Sequence, residues 1–313
     1  MCTYSIIVPA YNEEKSLQLF YDAVTPVMES TGEAYEIIFI NDGSTDETKT
    51  ILDRFAQADK RVKVCHFSRN FGQQSALLCG LQKSSGRAVI AMDADLQDPP
   101  EVALKMIEKW KEGYQIVHGK RKKRIGETAF KRGTANLFYK LARKLTGLDL
   151  PQNTGDFKLY DRQVVNALLS LTERDRLLRA QTAWVGFKQT FVEFDRPERV
   201  AGETHYTLKK MVKLAKAGIF PNTEFTLSFP LKFGIFLGFL SVACFVAFII
   251  LSGCGVYFGG LTAWLFPSLS LGVSIVAICQ GISNIHLNMV YKEVQNRPQY
   301  IVAEEKNFGE HQC

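Results

Sequence analysis

Ala88-Val89-Ile90-Ala91-Met92-Asp93-Ala94-Asp95-Leu96-Gln97-Asp98-Pro99-Pro100 is the stretch that decides the fold. An unbroken apolar run feeds paired carboxylates, and two prolines end the segment. This is the pattern of a buried strand that stops on polar residues. Residues i and i+2 of a strand point the same way, so Asp93 and Asp95 can present oxygens to one hard divalent cation, with Gln97 as a further oxygen ligand. A Mg²⁺ or Mn²⁺ ion held there would bridge a diphosphate. Taken alone, Asp-x-Asp also reads as a solvated acidic turn, and its company in the chain decides between the two.

Working outward, short apolar runs alternate with amphipathic stretches. Ile6-Ile7-Val8, Ile37-Ile38-Phe39-Ile40, Val62-Lys63-Val64 and Val89–Met92 are separated by Glu14–Glu29, Asp46–Ala58 and Gln73–Lys83. Strands alternating with helices predict an α/β fold with a parallel sheet covered on both faces, and such sheets bind ligands at the carboxyl ends of their strands. The first strand ends in Pro9-Ala10-Tyr11-Asn12-Glu13-Glu14 and the second in Asn41-Asp42-Gly43-Ser44-Thr45-Asp46. Each could be a plain helix start. Three polar turns on strand ends nevertheless converge on one crevice, where Tyr11, Glu13 and Asp42 would hydrogen-bond a base and ribose while Asp93 and Asp95 hold the metal. No Gly-x-Gly-x-x-Gly follows a strand and no Gly-x4-Gly-Lys-Ser/Thr occurs, which argues against dinucleotide and P-loop sites.

Charge is distributed unevenly over the 313 residues: from Phe233 to Tyr291 there is no Asp, Glu, Lys or Arg. That length allows two membrane crossings, placed near Leu231–Leu251 and Ala263–Ile285, joined by the glycine-rich link Ser252–Gly260. The alternative is a buried helical pair in a soluble protein. Lys209, Lys210, Lys213, Lys216 and Lys232 precede the pair and Lys292 and Arg297 follow it, so both flanks are expected in the cytoplasm. Thr207–Phe220 mixes apolar residues with lysines and reads as an interfacial helix. The chain opens directly into a strand pattern, Tyr4-Ser5-Ile6-Ile7-Val8, without the look of a signal peptide. Seven scattered cysteines without Cys-x-x-Cys spacing fit a reducing compartment. A net charge of +6, clustered before the apolar region, suits an anionic membrane face better than nucleic acid. Gly234/Gly238 and Gly255/Gly259 have the small-residue spacing that permits close helix approach and a homo-oligomer.

The motifs together resemble a family. Val8–Glu14, Asn41–Asp46, Ser68-Arg69-Asn70-Phe71-Gly72, Asp93–Pro99, Asn153–Leu159, Trp184-Val185-Gly186 and Arg199–Tyr206, followed by the two spans and Tyr291–Tyr300, are similar to the inverting GT-A glycosyltransferases of family two. Within that family they resemble the polyprenyl-phosphate enzymes, the dolichol-phosphate mannose synthases and bactoprenol glucosyltransferases. The resemblance implies a GT-A (Rossmann-like) catalytic domain over 1–204, juxtamembrane helices over 205–229, a two-helix transmembrane hairpin over 230–290 and a cytoplasmic tail over 291–313. It implies that Pro9, Tyr11, Glu13, Asp42 and Asp93 seat a nucleotide sugar. Asp93, Asp95 and Gln97 would meet Mg²⁺ or Mn²⁺, Asp156 would be the catalytic carboxylate alongside Asp95, and Arg132 and Arg199 would handle phosphates. The basic run Lys120–Arg124, Arg121 within it, reads as the acceptor loop or as a solvated surface.

Two departures stand out. Asn284-Ile285-His286-Leu287-Asn288-Met289 occupies a place where bactoprenol glucosyltransferases often carry Gly-Glu-Tyr-x-Gly-Arg, and Thr204 stands where Ser is common. The reaction implied is transfer of a hexose to undecaprenyl or another polyprenyl phosphate in the cell membrane, with a flippase and a further glycosyltransferase downstream. UDP-glucose is the favoured donor, ahead of a UDP-N-acetylhexosamine and GDP-mannose. A processive polysaccharide synthase would carry Gln-x-x-Arg-Trp, absent from Leu178–Trp184, and a catalytically silent scaffold would not need the acidic set. His66, His118 and His205 show no metal-ligand spacing.

Overall fold

The computed structural model describes residues 2–122, 144, 154–173, 177–195 and 262–309, with the side chains of only some residues in the helix that begins at 262. The chain forms two compact units, Met1–Ala217 with Pro298–Cys313, and Gly218–Arg297.

In the first unit β1 (Tyr4–Ala10), β2 (Tyr35–Asn41), β3 (Val62–Phe67) and β4 (Ala88–Ala91) alternate with α1 (Leu17–Glu29), α2 (Thr48–Ala58) and α3 (Gln73–Lys83). Then follow α4 (Pro100–Lys111), β5 (Ile116–Arg121), β6 (Thr154–Asp161), α5 (Arg162–Ser170), α6 (Leu178–Trp184), β7 (Gln189–Phe194) and, at the C-terminal end, β8 (Val302–Lys306). One eight-stranded sheet has the order β7-β5-β6-β4-β1-β2-β3-β8. β4, β1, β2 and β3 are mutually parallel, as are β5 and β7, while β6 and β8 run antiparallel to their neighbours.

Strand alternation explains the layering. Every residue of β2 is buried. Ile37 and Phe39 pack on one face with Leu17 and Phe20 of α1 and Leu52 of α2, whereas Ile38 and Ile40 pack on the other with α3 and α5. A strand covered on both faces has no need of polar alternation, which is why β2 and β4 read as continuous apolar runs. The order 4-1-2-3 reverses direction between β1 and β4, and a crevice opens at the carboxyl ends of strands where such a sheet switches. Pro99 and Pro100, expected only to end a strand, also begin α4, with Pro100 at its first position where no intrahelical N–H is missed.

Residues beyond the apolar region do more than trail from it. β8 closes the edge of the sheet beside β3. Tyr300 stacks on Phe67 with ring centroids 4.8 Å apart, Lys49 pairs with Glu304 at 2.8 Å and Lys83 with Glu305 at 2.8 Å. Asn307, at φ 59°, donates its amide to the carbonyls of Ala56 at 2.6 Å and Val62 at 2.8 Å.

The second unit contains α7 (Thr262–Gln295), 34 residues long. It contains the expected second span, Ala263–Ile285, and continues past it through Lys292. Among the described residues no helix is long and apolar enough to cross a membrane, so the two-helix hairpin is not part of the described fold. The first span Leu231–Leu251, the link, Thr207–Phe220 and Gly234/Gly238 lie outside the described residues.

Candidate active site

The crevice at the switch between β1 and β4 is walled by four strand ends. After β1, Asn12 adopts φ 55°, a left-handed conformation that asparagine tolerates. Its N–H donates to Ser44 Oγ at 3.0 Å and its Oδ1 accepts from Thr45 N at 2.9 Å. Glu13 N donates to Thr48 Oγ1 at 2.9 Å. The loops after β1 and β2 are therefore stitched into one wall, with Tyr11 exposed on its rim and Pro9 inside β1. Glu13 is tied to the start of α1, its carboxylate accepting from Ser16 Oγ at 2.6 Å.

Asp42 is buried, and its two oxygens accept from the backbone N–H of Phe71 at 2.6 Å and of Gly72 at 2.9 Å. Burial pushes its carboxyl up against the pull of those two amides. Its position makes it an anchor for the turn that opens α3, and each oxygen keeps a lone pair for a ligand. Gly43 beside it has φ 66°, and a Cβ there would stand 2.4 Å from the carbonyl carbon of Arg69. Only glycine lets the two turns approach so closely.

Asp93 and Asp95 follow β4. Asp93 Oδ1 accepts from Gln73 Nε2 at 3.0 Å, and the carboxyl of Asp93 is raised well above the ordinary range. Burial is the largest cause, followed by repulsion from Asp98, Asp156 and Asp95, with Arg121 pulling the other way. Asp95 is buried and accepts from Gln97 N at 3.1 Å, while Leu96 between them has φ 57°. A left-handed leucine is strained backbone, costing on the order of 1–3 kcal/mol, and such strain gathers at ligand sites.

Among the described residues no group of three or more His, Cys, Asp or Glu is placed to hold one metal ion. The donor set still suits Mg²⁺ or Mn²⁺ met jointly with a substrate. Hard cations of this kind are commonly bound by one or two carboxylates plus substrate phosphates rather than by an all-protein cage. The repulsion that Asp98, Asp156 and Asp95 exert on Asp93 is the charge a cation there would relieve.

Asp156 stands on β6 across the crevice. Its carboxylate accepts from Gln74 Nε2 at 3.5 Å and lies 3.5 Å from Arg179 Nη2. Gln74 also accepts the N–H of Leu178 at 3.0 Å, which fastens the start of α6 to α3. At the end of β5 the basic run divides by strand alternation. Lys120 and Lys122 pair with Glu193 and Asp195 at 2.8 Å and 3.0 Å, so they are held at the sheet edge. Arg121 points the other way and packs its guanidinium over Gly155, where a Cβ would meet Nη2 at 2.7 Å. Arg132 and Arg199 lie outside the described residues.

The strand ends thus bring Asp93, Asp95, Arg121 and Asp156 within electrostatic reach of one another, beside the turn that Asp42 anchors, while Tyr11 stands exposed after β1 and Gln97 follows Asp95. Gln73, Gln74 and Arg179 join them without having been expected. The only signal for the two glutamines was their place directly after Gly72 at a helix start, and Arg179 had none beyond a lone charge in a short apolar segment.

Comparison with known proteins specifies the class. The glycosyl transferase family 2 pattern matches residues 5–169. An uncharacterized glycosyltransferase of Bacillus subtilis, YkcC, is 44% identical over 98% of this chain and 94% of its own. The bactoprenol glucosyl transferase of Shigella phage SfII is 39% identical over 95% of this chain and 96% of its own. Among solved structures, a mycobacterial protein shares the fold with a TM-score of 0.50 at 19% identity, covering 70% of this chain and 72% of that one. The chain belongs to glycosyltransferase family 2, with a GT-A catalytic fold, and it is a glycosyltransferase.

Proposed function

We propose that this protein is a membrane-bound inverting glycosyltransferase that moves glucose from UDP-glucose to a polyprenyl phosphate such as undecaprenyl phosphate. The observation that carries the reading is near full-length identity of 39% to a bactoprenol glucosyl transferase, joined to the opposition of Asp93 and Asp95 to Asp156 and Arg121 across one crevice. Membrane attachment is supported by the charge-free run Phe233–Tyr291, long enough for two crossings. β8 lies in the same sheet as β1–β7, so chain on both sides of the apolar region belongs to one folded unit. A segment between two parts of one unit crosses a bilayer an even number of times, which agrees with a hairpin whose two flanks face the cytoplasm.

A polyprenyl phosphate is largely dianionic at neutral pH, because a phosphate monoester loses its second proton near pH 6. Its oxygen is already a nucleophile and needs aim more than deprotonation. Asp156, gripped by Gln74 and Arg179, is fixed as an orienting carboxylate for the sugar or the acceptor. Arg121 offers a planar fork to the acceptor phosphate. Tyr11, exposed after β1, and Asp42, buried after β2, are assigned to the nucleotide end. Mg²⁺ or Mn²⁺, when bound at Asp93 and Asp95 with Gln97 beside them, stabilises charge on the departing diphosphate. The displacement is in line at the anomeric carbon and inverts it.

Membranes carrying the protein, incubated with labelled nucleotide sugars, test the reading. Label from UDP-glucose should enter a butanol-extractable, mild-acid-labile lipid. Label entering an insoluble polymer, or no turnover by the purified protein, would refute it. Transfer from a UDP-N-acetylhexosamine or GDP-mannose instead would keep the acceptor and reassign the donor.

A further inference from the structure

Lys158 is wholly buried, and its Nζ has no hydrogen-bond partner. It rises from the middle of β6, flanked by Ala91 on β4 and His118 on β5. Being two residues from Asp156 on the same strand, it projects on the same face. That face carries α3, α5 and α6, and the charged groups converging there are few. Arg179 comes from α6 and Asp156 from β6. His118 comes from β5, its acidity brought to about 4 by burial and then by Lys158. Gln74 reaches in from α3.

An unpaired ammonium taken fully out of water is costly, by several kcal/mol even after relaxation. Burial lowers Lys158 to about 7, with Asp156 pulling it back toward the charged form and Arg179 pushing it further down. A group that costs stability and whose one attractive partner is a crevice carboxylate is the kind of local violation found at functional sites.

We propose that Lys158 is a positioning residue: buried behind Asp156, its side chain fixes that carboxylate against the reacting sugar and acceptor. Asp156 thus meets Gln74 and Arg179 directly, and Lys158 acts on it at longer range, with no hydrogen bond or ion pair between the two. The inference rests on the placement of Asp156 at the reaction centre argued above.

The test uses the detergent-solubilised full chain carrying K158M. Its kcat should fall roughly 100-fold, the scale of misplacing a reacting group by about 1 Å, with the KM for the nucleotide sugar within about twofold. Its thermal midpoint should hold or rise, because a buried amine without a hydrogen-bond partner has been replaced by an apolar chain of similar length. In a D156N background, adding K158M should change the residual rate by less than about twofold, since the lysine acts through that carboxylate. A K158M enzyme with wild-type kcat, a midpoint and rate that fall together, or losses that multiply in the double variant would each overturn the inference. A D156N enzyme with wild-type rate would instead remove Asp156 from the reaction centre, and this proposal with it.

Discussion

Replacing Gly155 with alanine separates what Arg121 does from what the fold needs. The added Cβ would stand 2.7 Å from Arg121 Nη2 and 3.4 Å from its Cζ, with the next neighbour, Phe157 N, at an ordinary 3.8 Å. The clash is with the far end of a flexible side chain, so the guanidinium gives way and the strand does not. Restoring a normal separation of about 3.5–4.0 Å displaces the fork by roughly 1 Å. Hydrogen bonds to a charged group contribute about 1.5–3 kcal/mol, so an acceptor phosphate that loses the fork should bind about 10- to 150-fold more weakly. Initial rates against polyprenyl phosphate should show that rise in acceptor KM while the donor KM stays put. R121M should reproduce the loss, and combining it with G155A should add little. An unchanged acceptor KM, or equal rises for donor and acceptor, would refute the assignment of Arg121 to the acceptor side.

Asp95→Asn should abolish transfer without altering the circular dichroism spectrum, because a neutral amide is a poor ligand for a hard cation, and EDTA should mimic it with Mg²⁺ or Mn²⁺ restoring activity; full turnover in EDTA would defeat the metal assignment. Gly43→Ala forces a left-handed alanine 2.4 Å from the backbone of Arg69, and the combined strain of about 2–5 kcal/mol should lower the thermal midpoint by roughly 5–15 °C. Lys158, brought by burial from 10.5 to about 7, is protonated in the unfolded chain and neutral in the folded one between those values. The unfolded chain then binds more protons, so stability from this group rises with pH across that window by up to about 1.4 kcal/mol per unit. The stability gap between K158M and wild type should therefore narrow from pH 7 to pH 9, and a widening gap would show the sign to be wrong.

How much of this could be read beforehand depended on whether the signal was local. β1, β2 and β4 announce themselves because strands buried on both faces are continuous apolar runs, and α3 falls on Gln73–Lys83 as its periodicity predicts. Asp93, Asp95 and Asp156 were legible because their positions follow from strand ends or from family motifs. The place of Asp42 at a strand end was legible, but not its part as the acceptor for the Phe71 and Gly72 amides, since that bond joins turns from different strands. β8 was missed because Val302-Ala303-Glu304-Glu305-Lys306 is mostly charged. It is an edge strand, half-exposed, and its glutamates are drawn by Lys49 and Lys83, partners more than two hundred residues away. Lys158 carried a two-residue spacing from Asp156, yet nothing local says that a lysine will be buried.

The division of charge across the crevice suits the proposed reaction, which joins two anions. A nucleotide sugar and a lipid phosphate both carry negative charge, so a wall of carboxylates alone would repel each and a wall of cations alone would hold both products. Here the acidic set after β4 raises Asp93 well above its ordinary range by burial and repulsion, a state that favours a cation shared with the donor diphosphate. The cationic set, Arg121 over Gly155 and Arg179 beside Asp156, comes from β5 and α6 on the opposite wall. Antiparallel β6 lies between β4 and β5 and brings Asp156 to the seam where the two walls meet. In the proposed reaction each anion would have its own counter-charge, and the carboxylate at the seam is the one that Gln74 and Arg179 meet. In a reaction where the nucleophile arrives ionised, that fixed geometry is what the protein has left to supply.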